Sequence, residues 1–144
     1  ALGRGTWCPF NSQNTAWWQM VFPLLYLPSY CSFRMTDIWR SFVAQRIIWE
    51  NNWYILFHGA TMWQDRNVHN LMHDFEQEIP GYKCNKKITE ILSDLQLDPG
   101  VENLYDSLFK CYRVLVKNNF LPTKELKLVK AWINDLEKIE SLSS

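Results

Sequence analysis

Ser32-Phe33-Arg34-Met35-Thr36-Asp37-Ile38-Trp39-Arg40-Ser41-Phe42-Val43-Ala44-Gln45-Arg46-Ile47-Ile48-Trp49-Glu50 is the stretch that decides the fold. Thr36 is a good N-cap, and Asp37 falls in the first turn, beside unpaired backbone N–H groups and the positive end of the helix dipole. Ile38, Phe42, Val43, Ile47 and Trp49 supply a broad apolar side, while Arg40, Gln45, Arg46 and Glu50 are spread around the rest. This pattern predicts a helix anchored by one side. Its N-terminus would offer a carboxylate, flanked by Arg34 and Arg40, to a neighbouring cleft.

Asn51-Asn52 marks the end of that helix, and Trp53 to His58 follows as a short aromatic and β-branched run bounded by Asn and Gly. Such a run reads as a buried strand of a sheet that begins elsewhere. Helix followed by buried strand predicts a helix-rich α/β fold, and because one or two strands cannot stand alone, strand partners are expected outside the chain. On the other side, Leu2 to Asn14 carries Gly3, Gly5, Pro9 and the polar run from Asn11 to Thr15, which predicts an extended or looped segment. A short strand around Thr6 to Phe10 is the most it would hold. Asn11, Gln13 and Asn14 can each donate and accept, which suits a hydroxyl-rich ligand and equally suits turn and cap chemistry. Asn14 or Thr15 would cap a helix from Ala16 to about Tyr26, kinked or split by Pro23.

Beyond the strand, Asn67 to Ile79 reads as a polar amphipathic helix stopped by Pro80-Gly81. His69 and His73 lie four apart on it. That spacing can bind one metal, yet Asn70 stands where a metalloprotease helix needs Glu, and no third ligand is obvious. Three further helices are expected: Lys87 to Leu97, Val101 to Asn119, and Thr123 to about Leu142. Leu104, Leu108, Cys111, Tyr112 and Leu115 form the inner face of the second, and Leu126, Val129, Ile133 and Leu136 that of the third.

At 144 residues and 47% apolar composition, the chain has the makings of one globular domain. Fifteen Lys and Arg balance fifteen Asp and Glu, so no global field favours nucleic acid or an anionic membrane. Eight tryptophans either fill a Trp-rich core or offer platforms for sugar rings and apolar partners. Cys8, Cys31, Cys84 and Cys111 are widely spaced, which argues against zinc and leaves disulfides and free thiols both open. The apolar patch from Met20 to Leu27, interrupted by Pro23, is too short to span a bilayer. The chain opens on Ala with no leader pattern, and is expected to be a fragment.

Gly5-Thr6-Trp7-Cys8-Pro9-Phe10-Asn11-Ser12-Gln13-Asn14-Thr15, then Leu27-Pro28, Phe33 to Arg40, Ala44-Gln45-Arg46 and Trp49-Glu50 together resemble the STELLO-type glycosyltransferases. Ala131-Trp132-Ile133-Asn134-Asp135-Leu136 is similar to that family's closing helix. The Asn-rich loop and the Asp37-Ile38-Trp39 segment also resemble, more distantly, the reversibly glycosylated polypeptides of plants. The resemblance implies the C-terminal, acceptor-side half of a GT-A-like fold over residues 1–82, followed by a helical region over 83–144 packed on it.

It further implies a sugar transferred from a nucleotide-sugar donor to a glycan or glycoconjugate acceptor in the Golgi lumen, with Mn²⁺ or Mg²⁺ held by the whole protein and a membrane anchor outside this chain. Asp37 would be the catalytic base. Asn11, Gln13, Asn14, Arg34, Trp39 and Arg40 would contact substrate. Two features depart from the GT-A pattern. Trp63 stands where many such enzymes supply a metal-binding histidine, and the chain holds neither an Asp-x-Asp motif nor a nucleotide-binding half. The chain alone is therefore expected to be inactive, and a non-catalytic binding or assembly module, partnering other glycan-synthesis proteins, is the second reading.

Overall fold

A computed structural model describes residues 1–65 and 68–143; Arg66, Asn67 and Ser144, the second of which was expected to open a helix, lie outside the described residues. Among the described residues four α-helices form: α1 (Thr36–Glu50), α2 (Leu71–Asp94), α3 (Leu104–Lys117) and α4 (Glu125–Ser143). Short 3-10 turns precede α1 at Gln19–Leu25 and Phe33–Met35, and another, Val101–Asn103, leads into α3. The protein is helix-rich. No described helix is long and apolar enough to cross a membrane.

α1 is the centre, although not in the one-sided way its pattern suggests: every residue from Trp39 to Trp49 is buried, Arg40, Ser41, Gln45 and Arg46 included. Buried polar side chains need partners. Arg46 finds them in the last turn of α2, donating from Nε to the Leu92 carbonyl at 2.9 Å and from Nη2 to the Leu95 carbonyl at 2.6 Å, with Nη1 on Glu50 at 2.8 Å. The start of α1 also differs from expectation. Thr36 is its first helical residue and not its cap, because the chain enters from the 3-10 turn and the Thr36 hydroxyl donates to the Phe33 carbonyl at 2.8 Å. The end is as read: Asn52 adopts φ 55°, a left-handed position that stops the helix and that Asn tolerates.

α2 corrects the sequence reading most. Asn70 caps it, its side chain accepting from the N–H groups of Met72 and His73. The helix then runs straight through Pro80-Gly81 and takes in the segment expected to be a separate helix. Pro80 removes one helical hydrogen bond, but Ser32 Oγ donates to the neighbouring Gln77 carbonyl at 2.6 Å. Gly81 is buried against the turn before α1, where a Cβ would run into Met35 Sδ. Both breakers have tertiary reasons to sit inside the helix. His69 consequently lies before the helix and His73 inside it.

The residues expected to form a strand belong to no sheet; among the described residues there is no strand, only an isolated antiparallel bridge between Leu2 and Ile55. From Trp53 to Leu56 the side chains still alternate as in a strand. Trp53 and Ile55 pack against the core, while Tyr54 and Leu56 are each 69% exposed. The segment from Ala16 to Tyr26, expected as a helix around Pro23, forms only the 3-10 turn.

α3 and α4 follow their patterns, with Leu104, Leu108, Cys111, Tyr112 and Leu115 buried on α3 and Val129 on α4. Glu125, at the first position of α4, is fully buried. Its carboxylate accepts from the Tyr26 hydroxyl and from the N–H groups of Ser29 and Tyr30, each at 3.0 Å, which ties the last helix to the loop before α1. Burial, then this bond to Glu125, pushes the Tyr26 phenol well above its usual range.

Candidate functional site

The N-terminal segment lies antiparallel along α1 and hydrogen-bonds to its side chains at a regular spacing. Cys8 N–H donates to Gln45 Oε1 at 2.9 Å, Phe10 N–H to Ser41 Oγ at 3.3 Å and Ser12 N–H to Asp37 Oδ2 at 3.2 Å. The periods match. Two extended residues advance about 6.6 Å and four helical residues about 6 Å, so every second N–H of the segment meets every fourth side chain of the helix. Trp7 completes the seam with its ring 4.4 Å from Trp49 and 5.7 Å from Phe42.

Ser12 joins two of the expected site residues. While its N–H holds Asp37, its hydroxyl accepts from Arg40 Nη2 at 2.8 Å. Arg40 is only 2% exposed, with its guanidinium 4.9 Å from the Trp17 ring centre and 5.4 Å from that of Phe10. Its Nε finds no hydrogen-bond partner among the described residues. Burial disfavours the charge and lowers its pKa. Arg40 thus steadies the loop that steadies Asp37, and does not itself face the cleft.

Asp37 opens onto a cleft of about 650 Å³ between the N-terminal loop, the start of α1 and one face of α2. Asn11, Gln13 and Arg34 line it with Asp37. Three further expected residues lie elsewhere. Trp39 is in the core, its indole N–H donating to Asn85 Oδ1 at 2.9 Å, so no ring face is free for a sugar. Arg40 is buried. Asn14 turns away to donate to Thr61 Oγ1 at 3.1 Å and lines a separate apolar groove.

Arg34 is anchored across the cleft mouth to α2. It pairs with Asp74, and His69 Nδ1 lies 3.4 Å from the same carboxylate. The hydrogen bond between the pair raises the Arg34 pKa and holds the Asp74 carboxyl below the usual carboxylate range. His73 meets Gln77 at 2.8 Å instead, so the two histidines share no ligand position. Among the described residues no three His, Cys, Asp or Glu side chains converge as a metal site requires. Trp63 is 85% exposed, and His58 hydrogen-bonds within its own loop.

The sequence reading missed the other wall. Glu78, Gly81, Tyr82 and Asn85 line the cleft from α2 at helical spacing, and Phe33 lines it from the turn before α1. Ending the helix at Ile79 hid that face. Ser41 and Gln45 were also missed, although Asp37, Ser41 and Gln45 are spaced four apart.

Residues 34–142 match the STELLO glycosyltransferases, and the chain belongs to that family. Two curated relatives from Arabidopsis thaliana, "Probable glycosyltransferase STELLO2" and "Probable glycosyltransferase STELLO1", are each 24% identical over 136 residues. The alignment covers 94% of this chain and 17% of each relative, so the chain spans under a fifth of their length. No solved structure matches it.

Proposed function

We propose that this chain is the acceptor-side part of a longer Golgi glycosyltransferase, with Asp37 as the general base. In that reaction an acceptor hydroxyl oxygen bonds to the anomeric carbon of a nucleotide-sugar. The bond from that carbon to the diphosphate breaks, its electron pair leaving with the nucleoside diphosphate, and the hydroxyl proton passes to the Asp37 carboxylate. One observation carries the reading. Asp37 stands at the cleft with Oδ2 held by Ser12 N–H, while the described residues give Oδ1 no hydrogen bond, so one carboxylate oxygen is oriented and the other is open to an acceptor.

The Trp53–Phe57 segment supports the longer protein and its GT-A-like sheet. The alternating exposure from Trp53 to Leu56 and the apolar groove beside it, about 530 Å³ and lined by Trp17, Trp18, Met20, Tyr54 and Phe57, suit an added strand. Among the described residues no cluster of His, Cys, Asp or Glu fits the divalent cation of such enzymes. That ion, Mn²⁺ or Mg²⁺, is assigned to the donor side of the longer protein.

The exposed tryptophans Trp18 and Trp63 favour a second reading, a non-catalytic module that binds partners of glycan synthesis. Incubating the longer protein with nucleotide-sugars and glycan acceptors separates the two. Nucleoside diphosphate release with an extended glycan supports transfer. Glycan or protein binding with no donor turnover replaces transfer with assembly.

A further inference from the structure

We propose that the Asp37 cleft is a subsite for a neutral oligosaccharide, with Phe33 and Tyr82 as the ring faces on which its sugars stack; this rests on the acceptor-side reading above. The two aromatics come from different elements and line the same cleft, Phe33 at 82% and Tyr82 at 74% exposure. Neither belongs to the core. An exposed, flat, apolar ring beside hydrogen-bonding groups is what a sugar needs, because a pyranose offers C–H faces to a ring and hydroxyls around its rim. The rim groups are present: Asn11 and Gln13 on the loop and Glu78 on α2. Phe75, one heptad before Tyr82 and 51% exposed, lies 6.2 Å from the Tyr82 ring and lengthens that apolar strip along the helix.

Charge narrows the ligand class. Asp37 and Glu78 both line the cleft, whereas Arg34, the cation among its lining residues, is already paired with Asp74. An acidic saccharide would bring a carboxylate against two others. A neutral one brings only hydroxyls, which both carboxylates can accept.

The unbroken course of α2 makes the wall. Glu78, Tyr82 and Asn85 share one helical face, and Gly81 on that face lets α2 approach the turn carrying Phe33. The width of the cleft is therefore set where the buried glycine meets Met35.

The test is an amide-resonance titration of the 144-residue chain with maltotetraose, chitotetraose, β-1,4-mannotetraose and β-1,4-xylotetraose, with tetragalacturonate as the acidic comparison. At least one neutral probe is expected to shift Asn11, Glu78 and Tyr82. Tyr82→Ala and Phe33→Ala should each weaken it about tenfold, the loss of roughly one stacked ring, with the melting temperature retained. Tyr82→Phe should keep the affinity. Shifts from no neutral probe, preference for tetragalacturonate, or undiminished binding by both alanine variants would overturn the proposal. Glycosyl transfer by the longer protein is read separately, so loss of the transfer reading and loss of the subsite are distinguishable.

Discussion

Replacing Arg46 by Met tests how α2, and with it the cleft wall, is held to α1. Arg46 is 8% exposed and donates to two carbonyls at the end of α2, Leu92 at 2.9 Å and Leu95 at 2.6 Å, while pairing with Glu50 at 2.8 Å. Met keeps the buried aliphatic stem but removes every donor. Each lost hydrogen bond from a charged donor is worth about 1.5–3 kcal/mol, and breaking a buried pair costs about 3–5 kcal/mol in all. Glu50 keeps partial contact with water, its side chain 19% exposed, which puts the expected loss near 3–4 kcal/mol. At about 3–4 °C per kcal/mol for a chain of this size, the melting temperature should fall by about 10–15 °C. Urea unfolding followed by circular dichroism reads the free energy directly. A loss under about 1 kcal/mol would refute the reasoning, since it would mean that water satisfies those carbonyls in the native state.

Two other outcomes follow from the shifted groups. Because the Asp74 carboxyl is held below its usual range, its pairing with Arg34 contributes stability above the unfolded pKa, about 3.9, and loses it as pH falls through the lower folded value. The stability gap between wild type and Asp74→Asn should therefore hold from pH 7 to about 5 and close below about 4, measured by thermal unfolding across pH. Burial pushes the Cys111 thiol up to about 12, and burial likewise pushes Cys31 up to about 11. At pH 8 Cys111 should resist a thiol-specific reagent until the protein unfolds, and labelling of the native chain at that residue by mass spectrometry would contradict its burial.

The span of α1, the inner faces of α3 and α4 and the family were legible because each rests on local pattern. Asn51-Asn52 ended α1 as read, and Cys111 and Tyr112 fell inside as their spacing required. What was not legible depends on distant partners. Pro80-Gly81 reads as a stop until Ser32 and Met35 are known to meet that turn. Arg40 and Arg46 read as lying off the apolar side of α1, with Arg40 at the cleft, until the N-terminal segment and α2 are seen to bury them. Trp53 to Leu56 has the alternation of a strand and lacks neighbouring strands among the described residues. At the site, Asp37, Asn11, Gln13 and Arg34 meet in one cleft, while Trp39, Arg40 and Asn14 do not face it.

The central claim is that Asp37 accepts a proton from the acceptor, and Asp37→Asn in the longer protein tests it most directly. Asn keeps an oxygen to accept from Ser12 N–H, so the loop and the melting temperature should be almost unchanged. It cannot act as a base. The account predicts that kcat for sugar transfer falls by about 10²–10⁴, the usual contribution of general base catalysis, at unaltered stability. Transfer at the wild-type rate would contradict it, and would leave Asp37 as the last rung of the structural seam along α1.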